Sequence, residues 1–104
     1  MTDTDSTFYL GLDLGQAQDN TALAIVEETT RTEIVPAHEP SPLGGVQLGD
    51  REETRSTYAL RHVERFELGT SYPDVVTAMV DYTTAPALRA ADWILVVDAT
   101  GVGR

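Results

Sequence analysis

The chain has no cysteine and no lysine. Without cysteine, disulfides, thiolate metal sites and thiol nucleophiles are all excluded. Apolar runs are short, and none approaches the roughly 20 residues that a membrane-spanning helix needs. Positive charge is scarce: seven arginines face 17 acids across 104 residues, for a formal charge of −10. That is the wrong sign for a domain that grips nucleic acid by neutralising phosphates. Any nucleic-acid function must therefore draw its affinity from metal ions, from a few arginines or from another domain, and elsewhere the acidity serves solubility. What is present is 41% hydrophobic residues and 7% aromatics, enough for one core of modest size. The opening Met1-Thr2-Asp3-Thr4-Asp5-Ser6-Thr7 is acidic and polar, the reverse of a signal or transit peptide, and reads as a disordered leader over residues 1–7. A soluble, cytoplasmic protein with no membrane partner is the expectation.

Residues 8–13 alternate, with Phe8, Leu10 and Leu12 on one face and Tyr9, Gly11 and Asp13 on the other, which predicts a strand. Turn residues over 15–20 lead to a second apolar run, Thr21-Ala22-Leu23-Ala24-Ile25-Val26, so the two strands form an antiparallel hairpin. Pro36, Pro40, Pro42, Gly44, Gly45 and Gly49 then mark residues 36–57 as a loop insertion. A third strand is expected over 58–68, with Tyr58, Leu60, Val63 and Phe66 facing the core and a bulge near Val63, where the alternation slips. Ser71-Tyr72-Pro73-Asp74 is a helix start: a capping hydroxyl, a proline in the first turn and an acid at the positive dipole end. Val75, Val76, Met79 and Val80 make its apolar stripe, and Pro86 ends or kinks it, with one more short turn over 87–91. Trp93-Ile94-Leu95-Val96-Val97 is uninterrupted, which predicts a central strand covered on both faces. The order is an α/β arrangement: a three-stranded antiparallel meander, then a helix and a fourth strand parallel to an earlier one. This is how a ribonuclease-H-like fold begins, with the first and fourth strands adjacent.

Asp13 and Asp98 each close one of these apolar strands, and small residues come after each. In neighbouring parallel strands the two carboxylates would meet at one sheet edge, where they repel unless a proton or a cation intervenes. An oxygen-only donor set suits Mg²⁺ or Mn²⁺ rather than zinc. Two such ions about 3.5–4 Å apart can drive phosphodiester hydrolysis. The plainer reading is that each aspartate caps the turn after its strand.

Asp19 lies in the first turn and is a third candidate metal ligand, through water, although an Asp-Asn turn needs no such role. Gly15 would let a substrate strand come close. Thr100, Gly101 and Gly103 could offer backbone N–H groups to a phosphate. They belong to neither a Walker A loop nor a dinucleotide fingerprint. His38 and His62 have no ligand spacing around them and read as non-functional.

Tyr9-Leu10-Gly11-Leu12-Asp13-Leu14-Gly15-Gln16-Ala17-Gln18-Asp19-Asn20-Thr21-Ala22 resembles the opening of the nuclease domain in large subunits of tailed-phage terminases. Arg61-His62-Val63-Glu64-Arg65-Phe66, Thr70-Ser71-Tyr72-Pro73-Asp74 and Val96-Val97-Asp98-Ala99-Thr100-Gly101-Val102-Gly103-Arg104 extend the likeness over most of residues 8–104, interrupted by the 36–57 insertion. The resemblance implies a ribonuclease-H-like, metal-dependent endonuclease that cuts double-stranded phage DNA during genome packaging. Asp13 and Asp98 match the first two acids of the family's metal site, which holds two Mg²⁺ or Mn²⁺ ions. A further acid completes that site from a later strand or helix, and this chain ends before reaching it. The expectation is thus the amino-terminal part of a nuclease domain, with the C-terminal part of the fold missing and no complete active centre of its own. The partners implied are DNA, the terminase ATPase domain, the small terminase subunit and the portal. The alternative from another class is an ATP-holding domain of the actin, heat-shock-chaperone and sugar-kinase type. The 85 residues from Asp13 to Asp98 are short for it. A third reading is a non-catalytic remnant.

Overall fold

Leu10 is wholly buried, and Phe8 and Leu12 nearly so, which makes the first strand the axis of the core. The structure is a computed structural model and describes residues 2–16, 18–39 and 46–100. Four strands and two helices occur in the order β1 (Thr2–Asp13), β2 (Ala22–Glu39), β3 (Val46–Arg65), α1 (Tyr72–Thr83), α2 (Pro86–Arg89) and β4 (Asp92–Asp98). They build an α/β fold on one mixed sheet of order β3-β2-β1-β4. β1 pairs antiparallel with β2, and β2 with β3. β4, reached through both helices, runs parallel to β1. Ser71 caps α1 by accepting the Asp74 N–H at 3.2 Å, with Pro73 in the first turn, and Pro86 opens α2.

The helices cover a single face. Val75, Met79 and Leu88 pack there on Phe8, Leu10, Leu12, Leu23 and Ile25. Side chains alternate along a strand and directly paired residues share a face, so the register fixes what lies on the other side. Two apolar rows cross it: Ile94, Tyr9, Val26 and Leu60, then Val96, Gly11, Ala24 and Val63. No element of the described chain lies over these rows. Leu60 and Val63 are each 63% exposed and Val96 61%.

Four expectations change. The leader does not stand apart: residues 2–7 extend β1 and pair with β2 from Thr2↔Glu33 to Thr7↔Glu28. Backbone ladder bonds do not require apolar side chains, and threonine suits a strand. The supposed insertion is also largely strand. Residues 36–39 and 46–57 belong to the ends of β2 and β3, and Pro40, Pro42, Gly44 and Gly45 lie outside the described residues. The hairpin is held by its ladder, by Thr30–Ser56 and Thr32–Thr54 hydroxyl contacts of 3.3 and 3.2 Å, and by exposed Arg31–Glu33 and Arg51–Glu53 ion pairs. It gives the molecule extents of 72 × 28 × 18 Å.

Third, β4 is an edge strand rather than a central one, and every residue in it is exposed. Even Trp93, Leu95 and Val97, on the helix face, keep between 36% and 45% of their surface. Fourth, Tyr58, Leu60 and Val63 face away from the helices, and of the expected third-strand contacts only Phe66 packs against the core. The bulge explains this. The register shifts between Ile25 and Val26, leaving Arg61 outside the ladder, so that His62 rather than Arg61 lies opposite Ile25, and Val63 stays on the face of Tyr58 and Leu60. Within α1, Val75 and Met79 are buried, whereas Val76 and Val80 are exposed.

Unequal coverage predicts unequal sensitivity. Leu10→Ala should lower unfolding free energy by about 2–5 kcal/mol, whereas Val63→Ala should change it by about 0.5 kcal/mol or less. Urea denaturation followed by circular dichroism measures both.

Candidate metal centre

Asp13 and Asp98 are partners in the β1–β4 register. The ladder continues one step past them, with the Leu14 N–H donating to the Asp98 carbonyl at 3.0 Å, so neither strand end is free to splay. Neighbouring strands lie about 4.8 Å apart, and paired residues point the same way. Both carboxylates therefore leave the sheet side by side, on the face the helices do not cover, and both residues are exposed.

Asp98 is held in place by the turn after its strand. The Thr100 hydroxyl and then its backbone N–H, at 2.9 Å from Oδ1, keep this carboxyl below the usual carboxylate range. The turn thus fixes the orientation of the Asp98 carboxylate. Exposed oxygen donors of this kind fit one hard divalent ion, because Mg²⁺ retains several waters and needs only one or two carboxylates. A second ion would need further acid. Among the described residues no group of three or more His, Asp or Glu side chains assembles around any point.

Asp19 does not join the pair. It lines a pocket of about 330 Å³ with Gly15, Glu67 and the start of α1, and neither Asp13 nor Asp98 lines that pocket. Gly15 serves the turn itself: a Cβ there would collide with the backbone carbonyl of Asp19. Its N–H donates to Thr21 Oγ1 at 3.0 Å, and its carbonyl accepts the Tyr72 hydroxyl at 2.7 Å. Asn20 Nδ2 donates to the Phe66 carbonyl at 2.8 Å, tying the same turn to the end of β3. Thr100 orients Asp98, and Gly101 and Gly103 lie outside the described residues. The supporting roles of Thr21, Asn20 and Tyr72 carry no signal in the sequence beyond ordinary turn and cap chemistry, because their partners are distant along the chain.

A second polar cluster joins β3 to α1. Tyr82 donates its hydroxyl to Glu64 Oε1 at 2.6 Å and lies 2.8 Å from His62 Nε2. The phenol has one proton and gives it to the carboxylate, so its contact with the imidazole is a hydrogen bond in the tautomer that carries a proton on Nε2. The hydrogen bond to Glu64, then burial, then the Glu64 charge push the Tyr82 phenol up to about 12. His62 and Tyr82 border a larger pocket, of about 580 Å³, floored by Phe8, Ile25 and Leu88. The sequence hinted at this cluster only through the slipped alternation that brings His62 and Glu64 to the helix side.

Compared with protein-family models, with curated proteins and with solved structures, the chain matches none.

Gly15→Ala should cost about 1–3 kcal/mol, because the added methyl meets backbone that is pinned from two sides. A thermal melt of the variant against the parent chain measures it. The Tyr82 cluster predicts an alkaline limit. The phenol keeps its proton to higher pH in the folded chain than in the unfolded one, so its contribution is complete below pH 10 and disappears as pH rises towards about 12. Stability followed across that window should fall, and Tyr82→Phe should flatten this part of the decline.

Proposed function

We propose that Asp13 and Asp98 are the first two metal ligands of a ribonuclease-H-like, metal-dependent DNA endonuclease of the terminase large-subunit type. One observation carries the reading: two acids 85 residues apart in sequence are register partners in adjacent parallel strands and project to the same uncovered face. The sheet order and the crossover through the helices are compatible with it. The ion, when bound, supplies Lewis-acid stabilisation of charge on a phosphodiester. The chain's own part is to present two carboxylates at a fixed spacing, with Asp98 oriented by Thr100 and Asp13 placed by the β1 ladder. The acidic surface leaves DNA affinity to the ion and to partners, for which the terminase ATPase domain, the small subunit and the portal are the proposed sources. A further acid belongs to the proposed complete centre.

Calorimetric titration of the chain with Mn²⁺ should show one weak site. Asp13→Asn and Asp98→Asn should each weaken it about tenfold or more, because a carboxylate charge facing the ion is lost, while Asp19→Asn should leave it unchanged. In a polypeptide that continues past Arg104, the first two substitutions should abolish Mn²⁺-dependent plasmid cleavage and leave the melting curve in place. Cleavage that survives both would overturn the reading. ATP binding without cleavage would move the pair to the phosphotransfer class.

A further inference from the structure

The sheet face opposite the helices is apolar in its middle and carries acids in the paired rows at both ends. Ile94, Val96, Val26, Leu60 and Val63 cross four strands, a span of roughly 14 Å at ordinary strand spacing. Gly11 lies within these rows, and a Cβ placed there would meet nothing within 4 Å, so the patch is hollowed at that point. At one end the next paired row is Asp98, Asp13, Ala22 and Arg65, acidic over β4 and β1 with an arginine on β3; at the other it is Asp92, Thr7, Glu28 and Tyr58. A contiguous apolar surface framed in this way is characteristic of an interaction site rather than of a solvated sheet.

We propose that this face docks a cationic amphipathic helix from a partner polypeptide, its apolar stripe on the Val96–Val63 rows and its Lys or Arg side chains reaching the acids at both borders. A helix with its side chains is about 10 Å wide, which suits a patch two residues deep. Helices covering sheets are also the common way to complete an α/β layer. Charge selects among occupants. A second copy carries the same formal charge of −10, so self-pairing is disfavoured. The inference does not depend on the nuclease reading, since it uses the framing carboxylates only as charges.

Fluorescence anisotropy with three labelled model peptides tests it: an amphipathic Leu/Lys helix, the matched Leu/Glu helix, and a Leu/Lys peptide of scrambled order. The amphipathic Leu/Lys helix should bind at least about tenfold more tightly than either of the others, a gap of about 1.4 kcal/mol. Val63→Glu should weaken it about tenfold, whereas Val76→Glu, on the exposed side of α1, should not. Attraction by net charge alone would be strengthened by both substitutions, so stronger binding to Val63→Glu overturns the proposal. Should Val63→Glu fail to fold, amide chemical-shift mapping on the parent chain decides. Perturbations centred on Gly11, Ala24 and Val96 support the site, and perturbations confined to α1 or to the ends of β2 and β3 reject it. Concentration-dependent dimerisation that blocks the peptide would also reject it, in favour of a second copy.

Discussion

The parallel pairing of β1 with β4 is the constraint on which the rest of the molecule depends. It is the only non-sequential strand contact in the sheet of described residues, and it joins the two ends of the described fold. Its register is set by burial: Phe8, Leu10 and Leu12 must face the helices, and a slip by one residue would turn them outward. The hydrogen bond from Leu14 to Asp98 extends the pairing beyond the strand ends. Asp13 and Asp98 are therefore placed side by side by forces that originate in the core and the backbone.

One-sided layering results from the same register. Val75, Met79 and Leu88 saturate the helix face of β1 and β2 but leave β4 only partly covered. On the reverse, apolar rows run between rows that carry acids. The carboxylate pair and the uncovered rows share that face, so whatever docks on the rows lies next to Asp13 and Asp98. The polar devices of the fold lie around its perimeter. Tyr9 and Tyr58 both donate to Glu28 at 2.9 Å across three strands, and Arg61, expelled from the ladder by the bulge, reaches Glu27 at 2.8 Å.

Much of the architecture was legible because it rests on local chemistry. The alternation at Phe8, Leu10 and Leu12, the cap at Ser71, the break at Pro86 and the slip near Val63 each correspond to an observed feature. The failures share a cause. Residues 2–7 looked like a leader because they are polar, and 36–57 like a loop because prolines and glycines lead into a charged stretch, yet polar residues pair through the backbone as well as apolar ones do. The run from Trp93 to Val97 looked central because it is apolar throughout, but hydrophobicity records a tendency to be covered and not which neighbour does the covering. Within the candidate site, the partnership of Asp13 and Asp98 was anticipated from strand order. The clamp by Thr21, Asn20 and Tyr72, and the Tyr82–Glu64–His62 cluster, depended on contacts across 6 to 57 residues that no periodicity encodes.

By itself the sequence determined the apolar parts of the strands, where α1 would begin, and that two acids would end apolar strands. Those properties come from side-chain period, capping and dihedral preference, all of which act over a few residues. Only the tertiary structure decided that β4 stands at the edge, that both carboxylates face the uncovered side, and that Asp19 lines a pocket bordered by neither of them. Facing and adjacency arise from register, and register is settled collectively by burial across the whole sheet.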